Sequence, residues 1–206
     1  TLSSSSAASD VYKRQDQTPP SGRGLCVAAM MQDLPLSDAY QFIEPGPVVL
    51  LTTQMPGRKP NVMAMSWHMV LGFEPALIGC VVARANHSYA ALLTQGEAVI
   101  AVPPAGLARI VTGVGNCTGD DTDKFGNFDL TPLPASRVAA PLIGEAIVNL
   151  ECRLRDRTMV KAYDMFVLEC VKGWVNPALR EAPMLHHHGY GAFSVDGERI
   201  TLKSRM

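Results

Sequence analysis

No run of apolar residues in this 206-residue chain approaches the length needed to cross a bilayer, so nothing in it reads as a transmembrane helix. The chain has no charge excess either. Its 18 Lys and Arg against 19 Asp and Glu leave a formal net charge of −1, which removes any bulk electrostatic drive toward nucleic acid or an anionic membrane. Cysteines are few and odd in number. Cys26, Cys80, Cys117, Cys152 and Cys170 include no C-x-x-C pair, which argues for reduced thiols in a cytoplasmic protein rather than a disulfide framework. No Cys or carboxylate spacing completes a zinc pattern around His186-His187-His188, and three adjacent histidines on a regular strand alternate faces and cannot converge on one ion. Gly113-Val114-Gly115 lacks the preceding strand and the glycine spacing of a dinucleotide fingerprint. The apolar run Leu25–Met31 is short and has no clear small-residue cleavage pattern, so it does not read as a signal peptide.

What is present fits one core: 47% of the residues are hydrophobic and the length suffices for a single sizeable domain. Residues 1–32 are rich in Ser, Ala, Gln, Pro and Gly and lack apolar periodicity; they are expected to form a disordered tail that need not be native, with the folded domain spanning 33–206. An entry segment over Asp33–Phe42 precedes a β-rich pattern. Pro47–Thr53 and Asn61–Ser66 flank the Pro- and Gly-punctuated turn Met55–Pro60 and predict a hairpin. Further strands are expected at Ala76–Ala83, Ala98–Val102, Ile143–Leu154 and Asp164–Val175, and a terminal hairpin over Gly191–Leu202 with Asp196-Gly197 at its turn. Helical character appears at Ser88–Thr94, ending at Gly96, and from Pro104 to about Val111. Thr112–Phe128 reads as a long Gly-rich functional loop with a short helix near Asp121–Phe125. Many strands and few helices imply a mainly β barrel rather than a doubly wound sheet.

Two segments carry the chemistry. Asn61-Val62-Met63-Ala64-Met65-Ser66-Trp67 has small and polar residues spaced along a strand, which lets a flat ring approach backbone N–H and C=O groups closely; its rival reading is a half-buried strand with Met and Trp in the core. Arg84-Ala85-Asn86-His87-Ser88 lies where the chain leaves a strand and enters a helix. There, free N–H groups, a cation and a hydroxyl suit a phosphate, and the rival reading is an ordinary cap. His68 is open between core packing and the ring edge. Cys117, alone in a Gly-rich loop, is open between a pocket-wall residue and a reactive thiol.

On these residues the chain resembles the flavin reductase-like family, and its flavoredoxin-like branch in particular. The family's Asn-x-x-(small)-x-Ser-Trp pattern matches Asn61 to Trp67, its basic-then-hydroxyl pattern matches Arg84 and Ser88, and its Gly-rich stretch ending in Asp-Lys-Phe matches Asp123-Lys124-Phe125. The resemblance covers about Pro47 to Lys203. It implies an FMN-binding split β-barrel with a few short helices, a homodimer with FMN at the interface, and electron transfer through non-covalent FMN, NAD(P)H being a candidate donor. The cofactor residues it implies are Asn61, Met63, Ala64, Met65, Ser66, Trp67, Arg84, Asn86, His87, Ser88, Lys124 and Phe125. Lys124 would face the reduced flavin's anionic edge, its rival reading being a solvated pair with Asp120, Asp121 or Asp123. One departure bears on activity. Where many members carry a Gly-Asp-His motif tied to nicotinamide use, this chain has Ala162-Tyr163-Asp164, which favours an FMN electron carrier over direct NAD(P)H oxidation. The other alternative is a split-barrel binding protein that does not use flavin.

Overall fold

In the computed structural model of this protein, residues 46–203 are described; the expected tail and the entry segment Asp33–Phe42 lie outside them. The chain order is β1 (Val49–Thr53), β2 (Asn61–Met65), β3 (His68–Phe73), β4 (Ala76–Val81), α1 (His87–Gln95), β5 (Glu97–Val102), a 3-10 turn (Ala105–Leu107), α2 (Ala108–Gly115), α3 (Lys124–Asn127), β6 (Pro132–Leu133), β7 (Leu142–Ile143), β8 (Val148–Asp156), α4 (Val160–Tyr163), β9 (Met165–Val175), β10 (Leu185–His187) and β11 (Phe193–Val195). Seven strands form one antiparallel sheet in the order β2-β1-β5-β8-β9-β4-β3, curled into a half-barrel. This is the split β-barrel with a few short helices that the resemblance implies.

The hairpin β1–β2 forms as the turn residues predict, in the register Val49↔Met65 to Thr53↔Asn61. β1 is buried along its whole length because both of its faces pack. Val49 and Leu51 join a core with Met65, Val82, Leu92, Ile100, Phe166 and Leu168. Val48 and Leu50 join another with Val62, Val111, Val114, Phe125 and Leu185. Burying each such side chain contributes about 1.5–3 kcal/mol. A strand enclosed on both sides must be apolar throughout, which is why Val48–Leu51 does not alternate.

Three expectations are corrected. β3 went unpredicted: His68–Phe73 pairs with β4 at the sheet edge, and its Met69, Val70 and Phe73 stay exposed, so no buried face marks it in sequence. The Gly-rich loop begins later than expected, because Thr112–Gly115 continues α2. Gly113 is there for packing rather than flexibility, since the Phe128 ring lies where a side chain at 113 would stand. The terminal hairpin turns elsewhere. β11 pairs backward with β10 in the register Leu185↔Val195, through a turn at 188–192 with Gly189 and Gly191 at positive φ, and Asp196-Gly197 closes no hairpin.

Two features of the fold create the site. Among the described residues β2 is an edge strand paired only with β1, and its outer edge carries backbone groups that no described strand takes up. The C-terminal turn of α2 leans on that strand: a side chain at Gly115 would meet Ala64 Cβ at 3.7 Å. The small residues Ala64 and Gly115 let helix and strand approach while leaving a groove beside them.

Candidate functional site

A cavity of about 310 Å³ opens between β2, the start of α1 and the segment after α2. Asn61, Met63, Ala64, Asn86, His87, Ser88, Gly115, Cys117, Gly119 and Lys124 line it. A second cavity of about 230 Å³ adjoins it through Met63, Ala64 and Asn86 and continues along β2 past Met65, Ser66 and Trp67. Ten of the twelve residues expected to hold the cofactor thus line one continuous groove.

The other two do not. Arg84 Nε donates to Asp164 Oδ1 at 2.9 Å and Arg84 Nη2 donates to the Lys161 carbonyl at 2.6 Å, so its guanidinium is anchored on the segment before β9. Asp164 caps α4 in the left-handed conformation at φ 53, and its carboxylate, which stands where the family His was expected, is the partner of that guanidinium. Phe125 is buried in the core with Val62 and Val114.

The groove's polar end has an unusual electrostatic arrangement. Lys124 is only 4% exposed, and its Nζ donates to the Val114 carbonyl at 3.0 Å. Among the described residues no carboxylate lies within ion-pair distance of it, which rules out the solvated surface pair; Lys59, not Lys124, pairs with Asp123. Burial pushes the Lys124 pKa down, against the pull of Cys117 and Asp121. A buried ammonium with a single carbonyl partner is costly unless an anion completes it.

Facing it is the first turn of α1. Asn86 adopts the extended N-cap conformation, but its side chain makes no capping bond, so the helix start is not closed by its own cap. Ser88 is fully buried; its Oγ accepts from Asn61 Nδ2 at 3.0 Å and from Thr53 Oγ1 at 3.4 Å. Asn61 Oδ1 is buried with no protein partner, an acceptor awaiting a donor. His87 Nδ1 lies 2.8 Å from Asp120 Oδ1, which fixes the ring against the loop. That hydrogen bond to His87, together with one from Thr118, holds the Asp120 carboxyl below its ordinary value. Gly119 passes so close to Asn61 and His87 that any side chain there would strike Asn61 Oδ1.

The remaining candidates resolve as packing. His68 Nε2 contacts the Pro47 carbonyl at 2.8 Å, so His68 ties β3 to the chain before β1. Cys117 Sγ donates back to the Gly113 carbonyl at 3.4 Å and is a wall of the cavity. His186 pairs with Asp196, His188 Nε2 with Ser194 Oγ at 2.8 Å, and the His187 ring packs on Phe193 with 5.1 Å between centroids. The triple histidine therefore lies on and just after a strand; among the described residues no group of three His, Cys, Asp or Glu is placed to hold a metal. His187 lines a third cavity of about 240 Å³ that shares Ala64, Met65 and Ser66 with the groove.

Residues 43–193 match the family model for the flavin reductase like domain. The chain belongs to that family. It is 32% identical over 111 residues to a protein of Archaeoglobus fulgidus and 30% identical over 123 residues to the FMN reductase (NADH) RutF of Methylorubrum extorquens. These matches take in 54% and 60% of this chain and only 63% and 57% of the relatives' own lengths. The solved structure of flavoredoxin from Desulfovibrio vulgaris superposes with a TM-score of 0.70 at 23% identity, covering 77% of this chain and 90% of that one. Among the described residues no helix is long and apolar enough to cross a membrane.

Proposed function

We propose that this protein binds FMN non-covalently in the groove along β2 and works as a flavin reductase-like oxidoreductase. The observation that carries the reading is the buried, anion-lacking Lys124 facing the uncapped start of α1 across a cavity walled by the edge strand β2. The residues fit the group. The first-turn N–H groups of His87 and Ser88 suit a phosphate. The outer backbone edge of Met63–Ser66, with small Ala64 between, suits the polar rim of a flat ring. Asn61 Oδ1 supplies an acceptor for a ring or ribityl donor. Family membership and the FMN reductase relative support the same cofactor.

Bound FMN would supply the two-electron chemistry, and the protein's part is to bind, orient and tune it. β2 and Trp67 hold the ring in place, and Lys124 biases the site toward negative charge. No side chain in the groove is arranged as nucleophile and base. A second reading, an FMN carrier reduced by a separate reductase, rests on Asp164 standing where the family has its nicotinamide-linked His: a carboxylate held by Arg84 cannot donate a hydrogen bond as that His would. We infer a homodimer in addition, supported by the edge strand β3 with Met69 53%, Val70 67% and Phe73 93% exposed.

A visible spectrum of purified protein reconstituted with FMN, before and after anaerobic NADH, tests the reading. A bound-flavin spectrum is expected, and the rate of bleaching by NADH separates the two readings. Failure to bind FMN would overturn the cofactor assignment, and rapid bleaching would overturn the carrier reading. Sedimentation at micromolar concentration tests the dimer.

A further inference from the structure

We propose that Cys152 and Cys170 form a peroxide-oxidisable dithiol that closes to a reversible disulfide between β8 and β9. The two residues are register partners on adjacent antiparallel strands, and their sulfurs lie 3.6 Å apart. Directly opposed residues have Cα atoms about 4.5–5.5 Å apart, inside the range a disulfide bridges without backbone movement. Both side chains project to the same face, where Cys152 belongs to the core of Val49, Leu51 and Phe166 and Cys170 packs against it. A bulge creates this pairing. Glu151 opposes Lys172 but Cys152 opposes Cys170, so the strand is stepped by one residue where the thiols meet.

The two sulfurs differ in the way sequential oxidation requires. Cys170 is half-buried and Cys152 fully buried, so an oxidant from solvent meets Cys170 first. The hydrogen bond shared with the Cys152 thiol lowers the Cys170 thiol, against its burial. The same hydrogen bond, with burial, keeps Cys152 protonated. Cys80, on the neighbouring β4, is also buried, and burial pushes its thiol up to about 12, so it stays inert. In the first step the Cys170 sulfur attacks one oxygen of hydrogen peroxide, the O–O bond breaks, one water leaves and a sulfenic acid remains. In the second, the Cys152 sulfur attacks the Cys170 sulfur, a second water leaves and the S–S bond forms. Two thiols and one peroxide thus give one disulfide and two waters. The inference does not depend on what occupies the groove.

The test uses the purified full chain treated with one equivalent of hydrogen peroxide. Expected are the loss of two of the five thiols, an intact mass lower by two hydrogens, and a non-reducing digest that joins the Cys152 and Cys170 peptides, all reversed by dithiothreitol. In Cys152→Ala only one thiol is lost, and dimedone traps Cys170 as the sulfenic acid. Cys170→Ser, at the half-buried position, leaves Cys152 unreactive. A bridge to any other cysteine, sulfinic acid at Cys170 in the wild type, or five surviving thiols overturns the proposal.

Discussion

Replacing Lys124 by Met is the sharpest perturbation of the groove. Among the described residues, Lys124 is the only lysine or arginine that lines the cavity between β2 and the start of α1. Met keeps most of the stem's length and packing and removes the charge. In the protein without ligand, that charge is buried against a single carbonyl at 3.0 Å. Removing it should therefore leave the apo protein at least as stable, because an uncompensated buried charge is a cost rather than a gain. With FMN bound the sign reverses. A charge-assisted contact contributes about 1.5–3 kcal/mol. If it acts mainly on the reduced, anionic form of the cofactor, the midpoint potential falls by about 30–65 mV, at about 30 mV per 1.4 kcal/mol for two electrons. The assay is a potentiometric titration of wild type and Lys124→Met, each loaded with FMN and, in parallel, with riboflavin. A shift of the same size with both places Lys124 at the ring. Unchanged potentials with either flavin bound would refute that placement, and an unchanged affinity as well would remove Lys124 from the site.

The other predictions follow from neighbouring groups. The lowered Lys124 pKa means the free protein gives up this proton below the ordinary lysine value of 10.5; FMN affinity should fall as pH rises through the depressed value, whereas Lys124→Met shows no such fall. The same shift makes the apo protein gain stability over that interval, since there the unfolded chain binds the proton that the folded one has lost. Gly119→Ala should lower FMN affinity at least tenfold with unchanged far-ultraviolet dichroism, because its methyl would strike Asn61 Oδ1 and lie 3.2 Å from His87 Cδ2. Ser88→Ala leaves Asn61 Nδ2 and Thr53 Oγ1 without their acceptor and should cost about 1–3 kcal/mol in urea unfolding, whereas Arg84→Ala breaks an exposed pair and should leave the urea midpoint nearly unchanged. Glu151→Gln should cost about 2–4 kcal/mol. Burial pushes the Glu151 carboxyl up, but donors from Trp174, Ser136 and Arg137 hold it below its ordinary 4.5, so its contribution is present above that value and lost as pH falls through the lower folded one.

The fold was legible wherever one physical rule acted alone. The β1–β2 hairpin follows from Pro56 and Gly57 between apolar runs, and α1 stops where Gly96 takes φ 65. It was illegible where two rules overlapped. Gly113 and Gly115 look like loop residues, but in α2 they make room for Phe128 and Ala64. β3 has the composition of a buried strand and the position of an exposed edge, so no alternation betrays it. The site shows the same division. Asn61, Met63–Trp67 and Asn86–Ser88 are close in sequence and share one strand or one helix start, and one groove gathers them.

Arg84 shows why the rest could not be read. A basic residue two before an N-cap reads as a phosphate ligand only if nothing nearer claims it, and what claims it lies 80 residues away. Asp164 is presented to it by a helix C-cap in the left-handed region, which the local sequence Tyr163-Asp164 does not announce. The pair has a consequence for the groove. With Arg84 turned to Asp164, the cavity keeps a single obligate cation, and that cation comes from α3 rather than from the strand-to-helix turn. Charge selection and phosphate geometry are therefore divided between two elements: α1 offers N–H groups, and Lys124 offers the charge from across the cavity. A site so divided predicts that loss of Lys124 weakens every anionic ligand, whereas closure of the α1 end, as in Gly119→Ala, discriminates by shape. Inorganic phosphate competition against FMN, compared between those two variants, separates the two contributions.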